Sequence, residues 1–443
     1  MRQYAPRIQV MLYEVFSGGG SYDITERLGD GCAIRTSKGI KEPFGTFTVS
    51  FVDRVFGDND SLYARIAPMD AIEVRAAHDG SQNLKVLIRG FVSSIRREES
   101  IGGGTPSRRV LVTCQDVGKL WMTTMLHFLW YPQEQAQLLT GYGLYVKYLG
   151  ASPKNMHGTE FLSKIVGILD DQLRTMLSGS ALGMSLAAAG EGTGVVPCNA
   201  YMLTTDTSFY AFLSQQLDRG AWYELWMDDV GYGDVQVRWR ELWSGPDSGI
   251  TLTLDDLQSI IVWRDDSRVS NWYWASPLGG AMLDQLNQMI EAERVGFAVQ
   301  DGRTYTQSAE KFFGWRKLEV RFSLMPPGWA TNASAPFKDQ YLQGQPQMTD
   351  WIADRTAALK RLNQDNVRLE SAVVRCAGNE NLRPGTWVTL MKATIPFRYY
   401  VTKVEHEITL WASFVTVLSL ERGEDISGRA VYRNELDLKG VAK

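Results

Sequence analysis

The chain has 443 residues, 44% apolar and 22% charged, with a formal net charge of −4. That balance describes an ordinary globular protein with room for roughly two to four cores. It supplies no electrostatic basis for wrapping nucleic acid, and no run approaches the ~18–20 apolar residues of a membrane span. Sequence-specific nucleic-acid binding and stable membrane insertion are therefore not expected.

Residues 1–6 are polar and lead into an alternating strand rather than a signal peptide, so synthesis in the cytoplasm is expected. Cys32, Cys114, Cys198 and Cys376 are scattered and form no C-x-x-C pair, which reads as buried, reduced thiols. His78, His127, His157 and His406 are equally dispersed. No metal, cofactor or catalytic residue is expected from such spacing.

Residues 7–16 read as a strand, followed by a glycine turn at 18–20, and 24–36 as a second strand or hairpin arm. Residues 45–52 alternate Phe47, Val49 and Phe51 against Thr46, Thr48 and Ser50, a half-buried strand. Strands follow at 69–76, 85–96 and 108–115, the last two joined through a glycine tip at 102–104. Val110, Val112 and Cys114 share a face, so Cys114 is expected in a core.

The pattern changes at Asp116, which is placed to cap a helix carrying Leu120, Trp121, Met125, Phe128 and Leu129. Residues 159–177 form a stronger helix with a broad apolar stripe. Residues 178–198, rich in small side chains, are expected to be a loop. A helix over 207–218, capped by Thr207 or Ser208, precedes a hairpin over 222–243.

Strands are expected over 250–263 and 270–275, a helix over 279–294, a strand over 316–324 and a turn-rich surface segment over 325–346. A helix over 349–366 follows. The chain then returns to strands at 370–376 and 386–391 and closes on a hairpin over 397–423. There Tyr400, Thr402, Val404, His406 and Ile408 share one face, as do Phe414, Thr416, Leu418 and Leu420 on the second arm.

A long-range similarity runs through this order. Residues 66–74 (IAPMDAIEV) lie on 382–390 (LRPGTWVTL), with Pro68 on Pro384. Residues 90–95 (GFVSSI) lie on 399–404 (YYVTKV), and 109–114 (RVLVTC) on 414–419 (FVTVLS). Either two antiparallel meanders look alike, or the chain holds two copies of one barrel, each carrying an insertion. Two equivalent copies per chain would let a trimer form a ring of six similar units.

The runs LRPGTWV, YVTKVEH and FVTVLSLERG, starting at Leu382, Tyr400 and Phe414, resemble the end of the tail-hub proteins of contractile-tailed bacteriophages. These include late-control and baseplate-hub proteins and the N-terminal part of type VI secretion spike proteins. The runs DAIEV, RGFVSSI and VTCQDVGKL, starting at Asp70, Arg89 and Val112, resemble the first barrel of that family.

The resemblance implies a mainly β fold with α+β insertions: two tail-tube-like β-barrel or sandwich domains plus two smaller α+β domains. Their bounds are 1–117 for the first tube-like domain, 118–245 for an α+β domain, 246–275 with 370–423 for the second tube-like domain, 276–369 for an inserted α+β domain, and 424–443 for a tail. It also implies a homotrimer whose pseudo-six-fold ring adapts a six-fold tail tube to a three-fold central spike and lines the DNA channel. The implied partners are the tail tube protein or tube initiator, baseplate wedge proteins, the tape measure protein and the spike. The spike is expected as a separate chain, because the sequence ends about twenty residues after the last strand.

Two other readings stay open: a tail-associated cell-wall hydrolase with its site in 118–370, and a receptor- or glycan-binding module. The carboxylates Glu224, Asp228, Asp229 and Asp234 are the acid candidates, but adjacent residues of a strand point to opposite faces. The pairs Asp255–Asp256 and Asp265–Asp266 meet the same objection. Trp222, Trp226, Trp272 and Trp274 are the glycan candidates, with core or interface packing as the simpler reading. Arg96, Arg97, Arg108 and Arg109 flank the glycine tip and are expected in ion pairs.

Overall fold

The computed structural model describes residues 6–15, 20–53, 55–56, 60–102, 105–126, 156–196, 207–230, 234–277, 314–327, 337–366 and 368–427. The architecture is mainly β with helices inserted. In the first part lie β1 (Arg7–Tyr13), β2 (Ser21–Asp23), β3 (Ala33–Gly39), β4 (Thr46–Val52), β5 (Ala71–Ala77), β6 (Lys85–Gly102) and β7 (Thr105–Asp116). The middle holds α1 (Gly158–Met176), β8 (Ser185–Gly190), α2 (Phe209–Gln216), β9 (Tyr223–Val230) and β10 (Asp234–Glu241). Then come β11 (Asp247–Leu252), β12 (Leu257–Trp263), β13 (Trp272–Pro277), β14 (Lys317–Phe322) and α3 (Phe337–Asn363). The chain finishes on β15 (Glu370–Ala377), β16 (Trp387–Lys392), β17 (Ile395–Thr409) and β18 (Ser413–Asp425).

One 13-stranded sheet joins the two ends of the sequence. Its order is β12-β15-β18-β17-β3-β4-β7-β6-β5-β1-β2, with β16 on β17 and β11 on β16. Among the described residues this pairing is an open ladder, and neither half closes into a ring. Each half has its own apolar core. Phe47, Val49, Val110, Val112 and Cys114 belong to one, and Val374, Val388, Leu390, Leu418 and Leu420 to the other. The alternation read from the sequence accounts for both, since period-two strands bury one face.

The two halves repeat each other strand for strand. The path β3-β4-β7-β6-β5-β1 corresponds to β12-β15-β18-β17-β16-β11. Ala71 stands opposite Phe91 as Trp387 stands opposite Tyr400, which bears out the alignment of those segments. The exchange of backbone hydrogen bonds between Val92 and Met69/Asp70 recurs between Val401 and Gly385/Thr386, all at 2.8–2.9 Å. Met69 at φ +71° and Gly385 at φ +77° share the same left-handed turn. Ser93 and Thr402 are both bulged out of register against the following strand.

That bulge corrects one part of the alignment. Val92 pairs with Cys114, and Val401 with Leu420, so Cys114 corresponds to Leu420 and not to Ser419. The sequence match 109–114 on 414–419 is one residue out, because a run of Val and Thr looks alike in either register while burial does not. A second departure is that β1 runs antiparallel to β5, whereas β11 runs parallel to β16.

Other expectations shift locally. Residues 24–36 are not one strand: Asp23 Oδ1 accepts from the Thr25 amide at 3.0 Å, the chain turns into a short helix at Thr25–Leu28, and β3 follows. The helix after Asp116 is only Lys119–Thr123, with Asp116 Oδ1 accepting from the Gly118 amide at 2.8 Å. Within 178–198, β8 is a strand lying parallel on β10, its small side chains letting α1 pack closely. Helix α3 starts at Phe337, within the segment read as turns, and runs through Gly344 and Pro346. Phe128, Leu129, Cys198, the helix over 279–294 and residues 428–443 lie outside the described residues.

The helices predicted over 159–177 and 207–218 are present. Ser208 caps α2 by accepting from the Ala211 amide at 3.2 Å. A third apolar core gathers α1, α2 and β8–β10 with Tyr273, Phe322, Ile352 and Leu359, so residues from both expected α+β units share it.

Candidate functional site

The hairpin β9–β10 carries the carboxylates singled out in the sequence, and it sits where both halves of the large sheet meet. Strand geometry sends Asp228 and Asp229 to opposite sides. On one side, Asp229 Oδ2 accepts from Lys38 Nζ at 2.5 Å, and Lys38 also lies 3.3 Å from Asp116. Lys38 is next to last in β3, Asp116 closes β7, and all three groups are buried or nearly so. On the other side, Asp228 pairs with Arg238 at 2.9 Å and lies 3.7 Å from Arg383, which donates to the Asp229 carbonyl at 2.7 Å.

One turn down the hairpin, buried Glu224 accepts from Arg240 Nε and from the Tyr400 hydroxyl, both at 2.5 Å. Arg240 also donates to the Gly385 carbonyl and lies 4.7 Å over the Trp226 ring. Arg89, fully buried, reaches the Asp234 carbonyl at 3.5 Å. The hairpin is thus fastened to the first half through Lys38, Asp116 and Arg89 and to the second through Arg383, Gly385 and Tyr400.

Burial sets the protonation of this joint. Burial, set against the Lys38 charge, pushes Asp116 up to about 6, with Asp229 adding repulsion. Burial opposes the Lys38 charge as well, but the carboxylates of Asp229 and Asp116 outweigh it and hold the ammonium above the usual lysine range. Glu224 is raised by burial against the opposing pull of Arg240, and the Tyr400 phenol is raised by burial and by Glu224. These carboxylates are consumed by cations in the joint, which is the arrangement of a structural clasp rather than of an acid–base pair.

The remaining candidates resolve into turns, ion pairs and packing. Asp256 accepts from Thr253 in a tight turn, Asp265 does so from Ser267, and Asp266 pairs with Arg316 at 2.6 Å. Asp234 accepts from the Ser185 hydroxyl. Trp222 and Trp226 are buried, and Trp222 donates to the Arg355 carbonyl at 3.0 Å. Trp272 and Trp274 stack with centroids 6.3 Å apart, and Lys317 covers Trp274 at 3.8 Å. Arg96, Arg97 and Arg108 pair with Glu98 and Glu99 along the β6–β7 hairpin, and Arg109 donates to Ser50 at 2.6 Å. Among the described residues no three His, Cys, Asp or Glu side chains are grouped to hold a metal.

Sequence reasoning missed the sheet's end. Strand β12 (LQSIIVW) is the last strand of the ladder, and both of its faces meet solvent. Ile261 is 64% exposed and Trp263 42%. The run Ile260-Ile261-Val262-Trp263 carries no alternation and so reads as a fully buried strand. Among the described residues this edge has no further strand beside it.

No protein-family model and no curated protein sequence matches the chain. Solved structures do. A 43 kDa tail protein of prophage MuSo2 from Shewanella oneidensis superposes with a TM-score of 0.51 at 12% identity, covering 94% of this chain and 98% of that one. The tail protein from Neisseria meningitidis MC58 gives a TM-score of 0.50 at 12% identity, covering 94% and 97%. The fold is therefore that of tail proteins. The coverage is almost complete in both directions, so the likeness runs over nearly the whole chain, in keeping with the hub-family resemblance in the sequence.

Proposed function

We propose that this chain is the structural hub of a phage tail baseplate. Three copies form a pseudo-six-fold ring that joins the six-fold tail tube to a three-fold central spike and lines the DNA channel. The ring units are residues 1–117 and residues 246–275 with 370–423. The observation that carries this reading is the repeat: one chain presents the same strand path twice, down to the bulges at Ser93 and Thr402 and the left-handed turns at Met69 and Gly385. A chain with two equivalent units is the economical way to match three-fold to six-fold symmetry.

The work of such a hub is non-enzymatic, and the engagement of Glu224, Asp228 and Asp229 with arginine and lysine fits that. Its partners are further copies of itself, the tail tube protein or tube initiator, a separate spike chain, baseplate wedge proteins and the tape measure protein. Its place is the virion tail. Light scattering on the purified protein tests the reading: a mass of three chains, retained on addition of tube protein, is expected. A monomer at high micromolar concentration, with tube protein present, overturns it.

A further inference from the structure

The way the two halves join within one chain specifies how the next chain joins. Strand β3 ends the first half's path, and along its whole length it pairs antiparallel with Lys403–Thr409 of β17. That part of β17 lies past the Thr402 bulge, beyond the reach of β16, which pairs only Ile395–Tyr400. The second half's equivalent of β3 is β12, the exposed edge strand. The first half's equivalent of β17 is β6, which pairs β5 only through Phe91. Among the described residues, β6 from Ser94 onward pairs β7 alone. Among the described residues the ladder thus ends in one strand and one docking edge without a neighbouring strand, related as β3 is to its seat on β17.

We infer that Ile260–Trp263 of β12 in one copy pairs antiparallel with Arg96–Glu99 of β6 in the next copy, repeating the β3–β17 junction three times around the ring. This deepens the trimeric reading and rests on it. The register follows from the repeat. Arg35 and Ile261 occupy one position, since Arg35-Thr48-Thr113-Ser94 and Ile261-Val373-Ser419-Lys403 are matching rungs across four strands. Arg35 faces Glu407, and Glu98 is the counterpart of Glu407, so Ile261 faces Glu98 of the next copy. By the same step Trp263, the counterpart of Ser37, faces the counterpart of Glu405, which is Arg96.

The chemistry of the two edges fits. The Arg96 side chain is 73% exposed and pairs with Glu98 at the surface, and a guanidinium over an indole is a favourable contact. Pairing also covers the Ile-Ile-Val-Trp run, whose exposure is otherwise a hazard for aggregation. The contact is head-to-tail, and with the step between chains equal to the step within the chain it closes into the proposed ring when that step is one sixth of a turn.

The test is a register-specific disulfide in the full-length protein. Opposed residues of antiparallel strands lie within the Cα separation that a disulfide spans. Ile261→Cys with Glu98→Cys in one chain is expected to oxidise to covalent dimers and closed trimers, whereas Ile261→Cys with Arg96→Cys, one rung pair away, is not. Both positions are exposed in the single chain, so folding is preserved. Separately, Ile261→Glu sets a carboxylate opposite Glu98 and is expected to raise the concentration needed for the trimer by about tenfold or more. Adding Glu98→Lys is expected to restore it. A trimer that forms without the 261–98 cross-link, or that cross-links both pairs alike, overturns this pairing and leaves the ring standing. A wild-type chain that stays monomeric with tube protein present overturns both.

Discussion

Among the described residues Lys38 is the one cation paired with both Asp229 and Asp116, and replacing it by methionine removes the charge while keeping the stem. At an effective dielectric of about 20, attraction to Asp229 at 2.5 Å is about 7 kcal/mol and to Asp116 at 3.3 Å about 5 kcal/mol. Desolvation of the three ions offsets most of that, and breaking a buried pair from one side nets about 3–5 kcal/mol. Lys38→Met is therefore expected to lose about 3–5 kcal/mol at pH 7.5 in urea unfolding. The loss should depend on pH in a definite direction. Asp116 has a folded pKa of about 6, above its unfolded value, so protonation favours the folded state and its penalty is relieved as pH falls below 6. Without Lys38 that pKa rises further, so the variant's deficit should shrink between pH 7.5 and pH 5. Asp229→Asn in the same background should recover part of the loss. A deficit below about 1 kcal/mol, or one unchanged at pH 5, would refute the view that Lys38 holds two charges in the joint.

Two further outcomes follow from the repeat and its core. His406 is buried against Thr416 and Phe414, and burial lowers its pKa to about 3. The unfolded chain takes the proton first, so stability is lost as pH falls from about 6.5 toward 3. The stability advantage of wild type over His406→Gln should therefore shrink by about 2 kcal/mol between pH 7 and pH 5; a His406 NMR resonance titrating near 6.5 would contradict this. Gly385→Ala places a Cβ 2.7 Å from Arg240 Nη2 and 2.9 Å from the Trp226 ring, at φ +77°. It is expected to cost at least about 1–2 kcal/mol from the backbone alone, read as a lowered melting temperature, and an unchanged melting temperature would show that the turn is not constrained.

Alternation made most of the large sheet legible, and the Pro68/Pro384 and Val92/Val401 matches held to the residue because each sits at a turn or bulge that fixes register. The match of 109–114 to 414–419 slipped by one where no such marker stands, since Thr and Val suit either face of a strand. The clasp was half visible. Glu224, Asp228 and Asp229 were picked out as carboxylates, and Arg240 stands opposite Glu224 on the same hairpin, but Lys38 comes from β3 and Arg383 from the loop before β16, and nothing in local spacing links those two to the hairpin. Helix α3 hid its first turns behind Gly344 and Pro346, residues read as breakers. The exposed edge at β12 was hidden for the opposite reason: four consecutive apolar residues read as interior, whereas among the described residues they meet solvent.

The seat of β3 on β17 has a consequence for synthesis. Thr36 and His406, hydrogen-bonded across that seam, are 370 positions apart. At a translation rate of roughly 5–20 residues per second, the first half waits on the order of 20–70 seconds before its neighbouring strand leaves the ribosome. During that interval β3 has an open flank, and nascent chains crowded on one message present it to each other. Charged residues on an open edge strand discourage pairing with the wrong strand, and Arg35 and Lys38 stand on β3 until the last tenth of the protein arrives to occupy the place.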